Sequence, residues 1–479
     1  MILPTLVGPS YRSMSRTADP SECVNWYVER LEDANAKAPA VCYPTPGFTA
    51  HLDLTPGPIR AEHQAYDGRV FVVSGFNFYE VLSTGASSLR GTVSVDGNPA
   101  TISSNGAAGG QLFITSGDVG YNYDLATNVL SVVLASGAAM GAYLNNVFIS
   151  LDTTLSTIRL SDLDDGTTWD PTQFAQRSLA ADPWVSMTIV NSEIWLLGEV
   201  TSEVWANQGL FPFPFAPIPG AFFNTGCAAP FSAAVVNSTL IWVAKNDQGD
   251  GMIVRGNGYA AERLSTHPVE FAIQGYANVS DAVTFTYQEM GHAFWVCSFV
   301  DGKRSWCFDV VSGLWHERGF WDQTTSSYEA LRVMYHCQSF NGAHLVGSRL
   351  DGQTYLLSNS VATDVDGSGI RRVRVFRGLD AEQDRVAYPW LQIEMQSGVG
   401  IATGQGSDPQ AMLQMSKDGG YSWGAERWEP MGKIGEYLVR TVWRRLGQAR
   451  NAVFRLVVSD PVYPVALIQA IVKPIRGAS

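Results

Sequence analysis

Seven times between Asp67 and Val346, a short polar turn runs into an apolar strand, most often with an aromatic residue near the strand's start. The copies begin Asp67-Gly68-Arg69-Val70-Phe71, Gly110-Gln111-Leu112-Phe113, Asn145-Asn146-Val147-Phe148, Asn191-Ser192-Glu193-Ile194-Trp195, Asn237-Ser238-Thr239-Leu240-Ile241-Trp242, Gly291-His292-Ala293-Phe294-Trp295 and Asn341-Gly342-Ala343-His344-Leu345. Anchored at 71, 113, 148, 195, 242, 295 and 345, they recur every 35 to 53 residues. Propeller blades repeat at about 40–50 residues. A second strand pattern follows most anchors, as in Val204-Trp205, Met252-Ile253-Val254 and Trp306-Cys307-Phe308. Small apolar runs such as Ser232-Ala233-Ala234-Val235-Val236 precede them, and small residues suit an inner strand crowded around an axis. The pattern predicts an all-β chain built on a β-propeller of six or seven blades, with stacked sandwiches as the alternative. Composition agrees: 11% aromatics and 46 glycines suit short strands and tight turns, and only 16% charged residues argues against helical bundles.

The flanks of the repeat differ from it. Residues 1–58 carry Pro39, Pro44, Pro46, Pro56 and Pro58 and read as an extended N-terminal arm, anchored by the strand-like Val24-Asn25-Trp26-Tyr27-Val28. The propeller is expected over 59–360. Beyond it, Leu391-Gln392-Ile393-Glu394-Met395, Ala411-Met412-Leu413-Gln414-Met415 and Val453-Phe454-Arg455-Leu456-Val457 alternate, predicting a β-sandwich-like domain over 361–479. Charge divides along the same boundary. The chain is −13 overall, but residues 371–479 hold 15 basic and 10 acidic side chains, a net of +5, against 17 and 35 before them, a net of −18. Such asymmetry points to two bodies with different neighbours, and the net of −13 argues against a whole-surface nucleic-acid clamp.

Signals of catalysis are weak. HExxH, GxSxG, P-loop and GxGxxG patterns do not occur, and the seven histidines show no metal-ligand spacing. His336 and His344 read as structural. Asp364-Val365-Asp366-Gly367-Ser368-Gly369 opens like a calcium loop, but its twelfth position is Val375 rather than a glutamate, so it reads as a solvated turn. No cofactor and no metal are expected. The six cysteines include no CxxC pair and are expected to be buried free thiols, with a Cys297–Cys307 bridge as the minor alternative. No stretch is apolar for long enough to cross a membrane; the longest runs from Val129 to Leu144.

Two patterns stand out. Ser416-Lys417-Asp418-Gly419-Gly420-Tyr421-Ser422-Trp423 is an Asp box, in which Ser416 and Asp418 bind the backbone of a tight turn, Gly420 allows positive φ and Trp423 packs beneath. Asp164-Asp165-Gly166-Thr167-Thr168-Trp169 is a partial copy. Asp boxes occur in sialidase propellers, so a propeller glycosidase or a glycan-binding receptor-recognition protein is the alternative function; the box itself is structural. The other pattern is arginine-rich: Arg371, Arg372 and Arg374, then Arg440, Arg444, Arg445 and Arg450. In a strand Arg372 and Arg374 share a face, opposite Arg371. These are the candidate assembly-interface residues.

The Asp box, then Gly435-Glu436-Tyr437, Arg440-Thr441-Val442-Trp443-Arg444-Arg445-Leu446-Gly447-Gln448-Ala449-Arg450 and Asp460-Pro461-Val462 together resemble the end of the packaged-DNA stabilisation proteins, the tail hub or nozzle of short-tailed bacteriophages. Further resemblance lies in Gly198-Glu199-Val200-Thr201-Ser202-Glu203-Val204-Trp205, Ser312-Gly313-Leu314-Trp315-His316-Glu317-Arg318 and Val24-Asn25-Trp26-Tyr27. The resemblance implies a structural virion protein of the tail, made in the host cytoplasm and without catalytic residues. It implies a homo-oligomer, a hexameric ring, below the head-to-tail adaptor. Its further expected partners are a tail fibre or spike, a tail needle or plug, and double-stranded DNA that passes through the lumen without sequence recognition.

Overall fold

The computed structural model describes residues 1–380 and 384–476. Seven antiparallel sheets form a closed propeller, with blades over 59–92, 101–134, 140–176, 184–223, 226–263, 283–318 and 333–358. Each of the seven sequence copies is the second strand of one blade: Val70–Ser74, Gln111–Ser116, Val147–Asp152, Glu193–Gly198, Thr239–Asn246, His292–Phe299 and Ala343–Ser348.

The polar turns explain why the repeat was visible. Asn145-Asn146, Asn191-Ser192, Asn237-Ser238 and Met290-Gly291 hold positive φ at both positions and close two-residue hairpins between the first and second strands. That is the type I′ geometry, which matches strand twist and favours Asn and Gly. The first strands of adjacent blades pack on one another around the ring, those of blades seven and one included. Anchor rings meet across blade boundaries: Phe113 lies 5.5 Å from Phe148, and Trp195 lies 6.3 Å from Trp242. Gly141 sits against Phe113, where a Cβ would come within 2.7 Å of the ring.

The N-terminal segment, expected as an extended arm, contributes its strands to several sheets. Gly47–Asp53 adds the outermost strand of blade seven by pairing with Gln353–Ser358, so the ring is sealed by residues some 300 positions apart in sequence. Upstream, the expected single strand around Trp26 is broken at Asn25, which has φ 58°. Its side chain donates to the carbonyls of Gly319 and Arg371 at 2.9 Å and accepts from Gly319 N at 3.0 Å. Pro20–Val24 and Trp26–Arg30, on either side of this corner, enter different sheets.

Those two sheets make the C-terminal sandwich. Pro20–Val24 pairs in parallel with the last strand of blade six at Val24–Glu317 and antiparallel with Arg372–Arg377. The first sandwich sheet then continues through Val453–Val458, Gln410–Ser416 and Arg427–Pro430, so blade six and the sandwich share one ten-stranded sheet. The second sheet orders Trp26–Arg30, Ala40–Pro44, Leu467–Val472, Val386–Met395 and Thr441–Ala449, with Ile2–Leu3 paired to Leu467–Val472. Between them lies a core containing Leu3, Leu6, Trp26, Phe376, Leu391, Leu413, Trp443, Phe454 and Leu467. All six cysteines are free. Cys297 and Cys307 do not face each other: Cys297 opposes Trp306, and the two thiols lie in separate cores.

Candidate functional site

The Asp box folds into the hydrogen-bonded turn its residues require. Asp418 Oδ1 accepts from Ser416 Oγ at 2.7 Å, Tyr421 N at 3.0 Å and Ser422 N at 2.9 Å, while Oδ2 accepts from Ser422 Oγ at 2.5 Å. Ser416 Oγ in turn receives Gly420 N at 2.8 Å. Gly419 and Gly420 take φ of 79° and 98°. The bonds from Ser422 and Ser416 hold the Asp418 carboxyl well below the usual carboxylate range. Trp423 lies under the Arg455 guanidinium, 4.4 Å from its ring centre. Both carboxylate oxygens of Asp418 accept from groups of the turn itself, so Asp418 reads as a structural group. Asp418→Ala is expected to lose about 1 kcal/mol, the net worth of the turn-closing bonds, since the freed donors face water. A urea midpoint unchanged from wild type would contradict this.

The partial copy behaves similarly. Asp165 accepts from Thr167 N at 2.8 Å, and Trp169 packs 4.9 Å from Phe113, fastening blade three to blade two. In the loop that resembled a calcium site, Asp366 Oδ1 caps Ser368 N at 2.9 Å, and Asp364 is buried. His336 Nε2 and His344 Nδ1 are 2.9 Å apart, hydrogen-bonded to each other on neighbouring strands. Among the described residues, no group of three or more His, Cys, Asp or Glu side chains is placed to hold a metal ion.

The arginines separate into two groups. Arg372 and Arg374 share a face as expected, but that face turns into the protein: both are fully buried, which removes them from any assembly surface. Arg374 is consumed by the carbonyls of the N-terminal segment. Arg371, on the opposite face, lies 3.9 Å from the Trp321 ring centre. By contrast Arg440, Arg444, Arg445 and Arg450 are exposed.

Geometry at the sandwich edge explains the pair Arg444-Arg445. Successive strand residues point to opposite faces. Here Arg445 takes φ 55°, the register against Val386–Met395 slips between Tyr388 and Trp390, and both arginines turn outward between buried Trp443 and Leu446. Arg427, on the edge strand of the facing sheet, latches the bulge by donating to Arg444 O at 2.8 Å and Arg445 O at 2.9 Å. Arg440 is held by Gln392 Oε1 at 2.6 Å.

The loop joining these two edge strands carries the residues that sequence reasoning did not select. Ile434 is 64% exposed, Tyr437 68% and Leu438 95%. Large apolar side chains this exposed, on the loop that leads through Arg440 into the strand of Arg444 and Arg445, form a surface suited to a protein partner. The available signal was Tyr437-Leu438-Val439 standing in an otherwise polar, Gly-containing stretch.

Comparison with known proteins follows this architecture. The family model for "Bacteriophage P22 Gp10, beta-propeller" matches residues 24–362, and that for "Bacteriophage P22 Gp10, beta-sandwich" matches residues 351–473. Among solved structures the chain is similar to the WD40 beta propeller domain of Doa1, at 12% identity, 65% of this chain, 97% of that chain and a TM-score of 0.42. It is also similar to streptogramin B lyase, at 9% identity, coverages of 66% and 98%, and a TM-score of 0.45. Virginiamycin B lyase from Staphylococcus aureus gives 10% identity, coverages of 70% and 99%, and a TM-score of 0.41. No curated protein matches the chain. With propeller and sandwich each matched over nearly their whole length, the chain belongs to the bacteriophage P22 Gp10 family of packaged-DNA stabilisation proteins, structural proteins of the phage virion.

Proposed function

We propose that this chain is the tail-hub, or nozzle, subunit of a short-tailed phage. Six copies form a ring below the head-to-tail adaptor, extend the DNA channel and help retain the packaged genome. The ring offers docking surfaces to a fibre or spike and to a needle or plug, and the chain is made in the host cytoplasm before assembly. The observation that carries this reading is the exposed edge of the sandwich. Arg440, Arg444 and Arg445 are exposed on its edge strand and Tyr437 and Leu438 on the loop leading into it, in a chain whose first 370 residues are net acidic. A basic, apolar edge on one copy complements an acidic body on another, and head-to-tail contacts of this kind close into rings. The acidic propeller also suits a conduit. DNA slides past like charge, whereas a basic lumen would hold it through many phosphate contacts.

The double substitution Arg444→Glu, Arg445→Glu tests the edge. Both side chains are exposed, so the monomer is expected to keep its melting temperature while rings disappear from native mass spectra and tails fail to mature. Rings of normal mass from the folded double variant would overturn the assignment.

A further inference from the structure

A cleft of about 300 Å³ opens where the outer face of the first sandwich sheet meets the hairpin of Phe320–Asp322 and Ser327–Glu329. Its floor is Met412 and Val457, paired in register on adjacent strands and both buried. One end is Trp321, which meets Tyr328 edge-on at 5.0 Å and carries the Arg371 guanidinium on its ring at 3.9 Å. The other end is Trp428, opposite Met412 in the register and 53% exposed. Around the mouth stand Glu426, Gln405 and Gln323, with the Asp364 carboxyl deeper in.

These groups select a ligand chemistry. An apolar floor and an open indole face suit the C–H face of a pyranose ring. Planar amides and carboxylates suit neighbouring hydroxyls, which both donate and accept. The single guanidinium is already stacked on Trp321, while two carboxylates line the space. An anion such as a phosphate or a nucleic acid backbone is therefore disfavoured.

We propose that this cleft binds a neutral, hydroxyl-rich saccharide, stacked on Trp428 and hydrogen-bonded through its hydroxyls to Glu426, Gln405 and Gln323. The site lies between propeller and sandwich, not in the propeller channel, and asks for no bond cleavage.

The full chain is titrated calorimetrically with maltotriose, cellotriose and chitotriose, and with sialyllactose as the charged control. At least one neutral sugar is expected to bind saturably with a Kd of roughly 1 mM, and Trp428→Ala and Glu426→Gln each weaken it about tenfold. Sialyllactose binds no better. Trp428 and Glu426 are exposed, so both variants retain the wild-type melting temperature, and Gln405→Ala serves as a third probe away from the aromatic wall. The proposal is overturned if no neutral sugar binds saturably below about 50 mM, or if binding is unchanged in all three variants. It is equally overturned if the Trp428 fluorescence responds only to ring formation or to a protein partner, which would make the cleft a protein contact.

Discussion

Replacing Arg374 with methionine is expected to destabilise the protein by about 3–5 kcal/mol, because a buried cation's partners would be left unpaired. The same replacement at Arg372, two residues away on the same face, is expected to be neutral or stabilising. Arg374 makes four hydrogen bonds to backbone carbonyls: Nε to Leu6 at 2.5 Å, Nη1 to Pro9 at 3.2 Å and Glu22 at 2.9 Å, and Nη2 to Thr5 at 3.0 Å. It is the post around which residues 5–9 wrap, with Leu3 and Leu6 held in the sandwich core. A lysine cannot replace this fork, since its donors radiate from one point. Arg372 has a poorer set. Its Nη1 reaches Ile370 O at 3.4 Å, while Nε and Nη2 are buried without a hydrogen-bond partner. Burial pushes its guanidinium down to about 10, with Asp364 opposing the shift. Methionine fills similar volume and removes the desolvated charge. Urea midpoints of the two variants decide the matter, with limited proteolysis of the N-terminal segment as a second readout. A tolerated Arg374→Met, or an Arg372→Met that loses several kcal/mol, would reverse the assignment.

This pair also shows what the sequence makes legible. Strand periodicity correctly places Arg372 and Arg374 on one face, because alternation is local. Which side that face meets is decided by carbonyls more than 340 residues earlier in the chain, and no local pattern carries that information. The blades were readable for the opposite reason. Asn145-Asn146, Asn191-Ser192 and Asn237-Ser238 state their turn type in two residues, and an anchor aromatic follows two to four residues later. Blade seven hides its fourth strand because Gly47–Asp53 pairs with Gln353–Ser358 across the whole propeller. Asn25 hides in a strand-like run, since only the tertiary contacts to Gly319 and Arg371 reveal that the chain must turn there. At the assembly edge the arginines were visible, but the bulge that turns both Arg444 and Arg445 outward was not. Nor was the saccharide cleft, whose walls come from positions as distant as Trp321 and Trp428.

The protein is expected to be most stable in mildly acidic solution and to lose stability on both sides. Glu62 sets much of the alkaline limb. It lies on the first strand of blade one against blade seven, beside Gly347, where an added Cβ would come within 2.8 Å of its Oε1. Both carboxyl oxygens are buried without a hydrogen-bond partner. Tyr335 and Cys337 face it from blade seven; burial pushes both up and keeps them neutral, and neither side chain can carry positive charge. Burial raises the Glu62 carboxyl from 4.5 to about 8. The folded pKa exceeds the unfolded one, so the stabilisation is complete below 4.5, is lost as pH rises, and is gone above 8. The full difference is roughly 4–5 kcal/mol. Asp364, raised to about 6 by burial, adds to the lower part of the same limb. The acid limb has the reverse sign. Burial lowers His63 to about 4, and His316 and His336 to about 3, so their contribution is present above the unfolded value of 6.5 and is lost as pH falls toward those values. Glu62→Gln is therefore expected to leave stability near pH 5 almost unchanged and to raise it by roughly 4 kcal/mol at pH 9, with the acid limb untouched. Urea midpoints measured across this range would show it; a variant whose alkaline limb still falls as steeply as the wild type's would locate the titrating group elsewhere.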